Sequence, residues 1–198
     1  MSRRVVGRFT LPTLALLAIA IAGTSSEAEP SDAHTRFSVA RVLERLPDYG
    51  AFDLLMFAVD RGTVTLDGYA RQTELVVEAV AAIERVDGVI RVDTKVQPLP
   101  TSAQDDWIRQ ALFQRIYTDD FVARYAATSH GHHAIAGFPD FPGMTAAGRY
   151  QIHIVVRNGH VSLFGIVSSD ADRQEAKLRA QAVIGTFAVD NQLIVSAD

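Results

Sequence analysis

Apolar positions along this chain follow two periods that alternate. Val39, Val42, Leu43 and Leu46 fall at i, i+3, i+4 and i+7, one face of a short helix that Pro47 brings to an end. Leu55, Phe57 and Val59 then alternate, Arg61-Gly62 turns the chain, and Val64 and Leu66 alternate again up to Gly68, which predicts a β-hairpin. Thr73 is placed to cap a second helix whose face is Val76, Ala79, Val80, Ile83 and Val86. Gly88 stands where a helix end needs positive φ, and a third strand runs from Ile90 through Val92 to Val96. The predicted order is α-β-β-α-β.

That order comes twice. Ser102 is placed to cap a helix with Ile108, Ala111, Leu112 and Ile116 on its apolar face and Asp105 and Asp106 in its first turn. Ile152, Ile154 and Val156 alternate into Asn158-Gly159, a pair suited to a type I′ turn because it accepts two positive φ values. Val161 and Leu163 return to Gly165, Asp170 opens a helix ending at Gly185, and Phe187, Val189 and Leu193 fall in a last strand. A shift of 97 residues sets Gly62 on Gly159, Val64 on Val161, Leu66 on Leu163 and Gly68 on Gly165. The register continues without a gap to Gly88 on Gly185, Val92 on Val189 and Asp93 on Asp190. Coincident glycines on a shared strand pattern predict two homologous units.

Gln97-Pro98-Leu99-Pro100 is stiffened by proline and reads as the boundary, giving units at residues 29–100 and 101–198. The second unit carries an extra stretch at about residues 127–149, rich in Gly, His, Pro and Ala, which lacks a period and reads as a surface loop. The expected fold class is α+β: two tandem α-β-β-α-β domains, each a three-stranded mixed sheet covered on one face by two helices.

Residues 1–28 change the functional picture. Arg3, Arg4 and Arg8 precede an apolar run from Leu11 to Gly23, and Ser26-Glu27-Ala28 is a small-x-small site, the order of a secretory signal peptide. The run has 13 residues, short of the roughly 20 that span a bilayer core; a retained anchor is the competing reading. Val6 and Gly7 fit the twin-arginine pattern poorly, which favours the general secretory route. The expectation is a periplasmic protein with no transmembrane span once processed. Loss of residues 1–28 turns a net charge of −4 into −6, with 16 basic and 22 acidic side chains. An acidic chain has no bulk reason to bind nucleic acid.

Chemistry-bearing motifs are sparse. With 0 cysteines there is no disulfide frame, no Cys-ligated metal and no thiol nucleophile. No nucleophile elbow, His-Glu-x-x-His or phosphate-binding glycine loop occurs. His130, His132 and His133 cluster in the extra stretch, where only Asp140 could complete a ligand set, and read as a polar loop. Neither catalysis, nor a metal, nor a cofactor is expected.

Two surfaces remain as binding candidates. Two helices cover one sheet face only, so His153, Val155, Phe164 and Ile166 lie on the other, with Met56, Ala58, Thr65, Asp67 and Tyr69 in the equivalent places of the first unit. That face is an interface candidate, against the first unit, an envelope protein or acyl chains. On the last helix Arg173 and Lys177 lie four apart, with Arg179 nearby and Glu175 placed to pair with it. These cations could meet the phosphates of anionic phospholipid.

The pattern Val59 to Gly68, the helix through Ala79 to Ala82, and Val86-Asp87-Gly88-Val89-Ile90-Arg91-Val92 resemble the BON domain of bacterial envelope proteins. The second copy keeps Val183, Gly185 and Val189 but has Thr186 where the motif has Val. The motif glycines are Gly62, Gly68, Gly88 and their counterparts Gly159, Gly165 and Gly185, read as backbone geometry more than as ligand contacts. The resemblance implies a small α/β fold in paired copies, an envelope and osmotic-stress association, and phospholipid binding.

Overall fold

The computed structural model describes residues 31–117, 125, 135–136 and 138–196. The first unit runs α1 (Asp32–Glu44), β1 (Leu54–Asp60), β2 (Thr63–Ala70), α2 (Thr73–Ile83), β3 (Arg91–Thr94) and β4 (Gln97–Pro98). The second runs α3 (Ala103–Tyr117), β5 (Ile135–Ala136), β6 (Thr145–Ala146), β7 (Ile152–Arg157), β8 (His160–Val167), α4 (Asp170–Gln181) and β9 (Ala188–Val195). Both hairpins form in the expected register, Val59 opposite Val64 and Val156 opposite Val161. β3 and β9 return parallel to β2 and β8, so each unit has a mixed sheet of order β3-β2-β1 or β7-β8-β9.

Each sheet packs one face on its own helices. Val39, Leu43, Leu75, Ala79 and Ile83 close over Leu55, Phe57, Val64 and Leu66 in the first unit. Ile108, Leu112, Ile116, Ala176 and Ala180 do the same over Ile152, Ile154, Val161 and Leu163 in the second. Ser31, Ser102 and Ser169 cap α1, α3 and α4, each accepting the N–H of the residue three further on. Thr73 is not a cap: α2 starts on it, and Gln72 occupies the N-cap without a side-chain bond.

Three expectations need correction. The extra stretch is no surface loop where it is described: Phe138, Phe141, Ala146 and Ala147 are buried, and β6 pairs with the outer side of β1. That pairing, together with β4 and β5, enlarges the first sheet to six strands. The proline-rich boundary is built into the fold, because Gln97 and Pro98 pair beside Tyr69 and Ala70 and Leu99 is buried. Ile90 and Phe187 were expected inside strands; both stand just before them, largely exposed. Residues 1–28, 127–134 and the cluster His130, His132 and His133 lie outside the described residues.

Candidate functional site

The sheet faces turned away from the helices meet. Leu54 and Met56 of β1 and Val155 and Phe164 of β7 and β8 form a third core with Leu99, Phe138, Phe141 and Ala146. Phe138 and Phe141 pack edge-on against Phe164, with ring centres at 5.7 and 6.0 Å, and Phe141 also meets Tyr69 at 6.3 Å. Of the residues expected on an open face, Val155 and Phe164 retain 1% and 2% exposure and Ile166 is partly buried. The inserted segment and the first unit cover this face, so of the occupants expected it is the first unit that takes it.

Polar contacts fix the junction. Ile154 of β7 donates its N–H to the Ala51 carbonyl at 2.7 Å, which extends the second sheet onto the first unit. Arg149 donates to the carbonyls of Leu46 and Pro47 at 3.0 and 3.1 Å. His153 is buried, stacked on Tyr49 at 5.4 Å, with Nδ1 at 2.5 Å from the Asp53 carbonyl. A carbonyl only accepts, so Nδ1 carries a proton and donates it to this bond. Burial pushes its pKa down to about 4, against the smaller upward pull of the Asp53 and Gly50 carbonyls. Burial also raises the Asp53 carboxyl, although the Arg71 and Gly50 N–H groups donate to it at 2.7 and 3.4 Å.

The cations of α4 are partly committed. Arg173 pairs with Asp170 at 2.6 Å; Arg179 pairs with Glu175 at 2.7 Å and donates to the Arg115 carbonyl at 2.9 Å. Lys177 is half-buried, and Leu178 beside it is exposed.

The end of the second unit carries what the sequence pattern concealed. Ile184 and Phe187 are 82% and 79% exposed, just beyond the last turn of α4. Phe187 donates its N–H to the Gly159 carbonyl at 2.9 Å, and its ring lies over the Asn158-Gly159 turn near His160. The Gln104 side chain lies against Gly185, and Trp107, one turn along α3, is half-exposed. Ile90, the equivalent of Phe187 in the first unit, likewise donates to Gly62 at 2.8 Å and is exposed. An alternating apolar pattern predicts burial for these residues; their place before the strand removes them from the helices' cover. The 97-residue repeat was the signal that sets Ile90 on Phe187. Gly88 and Gly185 adopt φ of 86° and 91°, as a helix-to-strand turn requires.

Among the described residues no three His, Asp or Glu side chains are grouped to hold a metal.

The BON domain matches residues 31–98 and 145–197. The chain belongs to the BON domain family. The first BON match spans α1 to β4; the second starts at β6 and leaves α3 outside it. No curated protein matches the chain. Two solved structures similar to it are of CdsD, a structural protein of the type III secretion system of Chlamydia trachomatis. For the C-terminal domain of CdsD the identity is 12% over 81% of this chain and 96% of that one, at a TM-score of 0.25. For the second CdsD structure it is 14% over 81% and 91%, at a TM-score of 0.27. No helix among the described residues is long and apolar enough to cross a membrane. Membership of the BON family supports an envelope-associated role.

Proposed function

We propose that this BON protein is exported to the periplasm and works there, without turnover chemistry, in envelope maintenance under osmotic stress, touching anionic phospholipid weakly. The observation that carries this reading is the pair Ile184 and Phe187, exposed at the end of a unit whose other apolar face is covered. Exposed large apolar side chains grouped at one place point to a contact surface, which scattered single ones do not. Lys177 and the exposed Leu178 lie on the last two turns of α4, the helix that precedes this pair, with Arg173 and Arg179 on the same helix. Each cation near an anionic surface contributes about 1 kcal/mol, and each buried methylene about 0.8 kcal/mol. Ion pairing of Arg173 and Arg179 and the acidic whole reduce that sum, so binding is weak, salt-sensitive and dependent on anionic lipid.

Vesicle co-sedimentation with and without anionic phospholipid tests the proposal. Wild type should pellet with anionic vesicles, while Ile184→Ser with Phe187→Ser, and separately Lys177→Glu, should stay in solution with an unchanged thermal midpoint. Equal pelleting of all three proteins, or of none, rejects the lipid reading and leaves the exposed end to an envelope protein.

A further inference from the structure

The strand edges of the two sheets are treated unequally. The outer side of β7 is met by Ala51, and that of β1 by β6. The edge formed by β3 and β4 is short, broken, and carries Arg91, Asp93, Lys95 and Pro98. Short strands, charge and proline are the devices that keep foreign strands away. β9 is neither short nor broken by proline, and carries a single charge. It has 8 residues, stands last in the order β7-β8-β9, and bears Asp190 as its one charged side chain. Among the described residues no strand pairs with its outer side, and a cavity of about 350 Å³ lies beside Asn191–Val195, lined also by Asp170 and Arg173 of α4 and by Pro139.

The polarity of β9 is symmetric about its middle. Ala188-Val189 and Leu193-Ile194 flank the polar triplet Asp190-Asn191-Gln192. We propose that β9 pairs antiparallel with β9 of a second copy of this chain, about a two-fold axis through Asn191, joining two three-stranded sheets into one. In that register Val189 meets Leu193, Ala188 meets Ile194, and Asp190 meets Gln192 of the other copy, twice by symmetry. The faces agree: Val189 and Leu193 belong to the helix-side core, whereas Ile194 and Gln192 turn to the opposite side, toward the inter-sheet core and Asp140. The two Asp190 carboxylates thus face amides, not each other. Their match is already visible within one strand, where the Gln192 amide donates to Asp190 at 2.9 Å. A shift by one residue would oppose the two faces. The next allowed register, about Gln192, sets Asp190 against Ile194. One strand pair buries less than a standard interface, so the dimer forms in a concentration-dependent way.

Sedimentation velocity of the full chain across a wide concentration range tests this. Wild type should move from monomer to dimer. Gln192→Glu places a carboxylate opposite each Asp190 and should weaken association about tenfold or more. Adding Asp190→Lys to Gln192→Glu restores opposite groups across the axis and should restore the dimer, at a thermal midpoint matching wild type. A wild type that stays monomeric, or a dimer indifferent to Gln192→Glu, overturns the proposal. So does a monomer whose β9 variants lose binding to another envelope protein, because the edge then belongs to that protein.

Discussion

The Asp105 carboxylate holds the backbone N–H of Gly159 at 2.8 Å, pinning the start of α3 to the tip of the β7–β8 hairpin. Its other oxygen takes the Asn158 N–H at 2.8 Å. Asp32 repeats the arrangement in the first unit, accepting from Arg61 and Gly62 at 2.9 and 3.3 Å. A type I′ turn leaves those N–H groups pointing outward, and Arg61 and Asn158 both take positive φ. One carboxylate satisfies two of them and fixes the helix relative to the sheet. This duplicated bond identifies α3 as the counterpart of α1, although the inserted segment separates α3 from its hairpin.

Asp105→Ala should therefore destabilise the protein by about 2–4 kcal/mol, since it leaves the buried Gly159 N–H and the part-buried Asn158 N–H without their acceptor. Asp32→Ala should cost about 1 kcal/mol, because water reaches the first hairpin tip. Chemical denaturation of both variants measures the difference; equal losses would contradict the burial argument.

The hairpins, their turns and the helix faces were legible because period and turn chemistry are local. The pairing of Asp32 with Asp105 was open to the same reading: Thr35, Val39 and Leu43 follow Asp32 at the spacing at which Ile108, Leu112 and Ile116 follow Asp105, and all are buried. An acidic residue in a first turn reads as solvated, which hid it. Phe138 and Phe141 could not be read, because they sit in an aperiodic segment and their partners lie in the other unit and on a sheet face whose cover no local pattern encodes. Phe187 failed for the opposite reason: it fits the alternating pattern of its strand, yet it stands just before the strand begins and outside the helices' cover.

The shared third core predicts that the two BON units unfold together. Phe164→Ala should cost about 3–5 kcal/mol, and Phe138→Ala a similar amount, because each empties an aromatic-sized space between the sheets. Calorimetry of wild type should give one transition, and both variants should lower it whole. Two separated transitions, with only one displaced, would mean that the units are independent.

Gly165 tolerates no side chain. Its φ is 147°, and a Cβ there would lie 1.9 Å from the Gln151 carbonyl oxygen, a backbone atom that cannot swing aside. Gly165→Ala should cost about 3 kcal/mol or more, measured by urea denaturation. A cost near zero would mean that β7 shifts freely against β8.

His153 makes the junction acid-sensitive. Unfolded, its imidazole takes up a proton near pH 6.5; folded, it stays neutral until about pH 4, because burial penalises the charged ring by more than the Asp53 and Gly50 carbonyls favour it. Between those values the unfolded chain binds more protons, so stability falls as pH falls. The window corresponds to about 3 kcal/mol at 1.36 kcal/mol per pH unit. Asp53 works the other way, since burial raises its carboxyl and protonation relieves that cost toward the lower end of the window. Stability of wild type and His153→Gln measured by urea denaturation from pH 7 to pH 4 isolates the imidazole, because every other titrating group is common to both. The variant should be the less stable protein at pH 7, having lost the stacked ring. The gap should narrow steadily below about pH 6.5. A gap that stays constant with pH would mean that water reaches His153 and that the junction opens in solution.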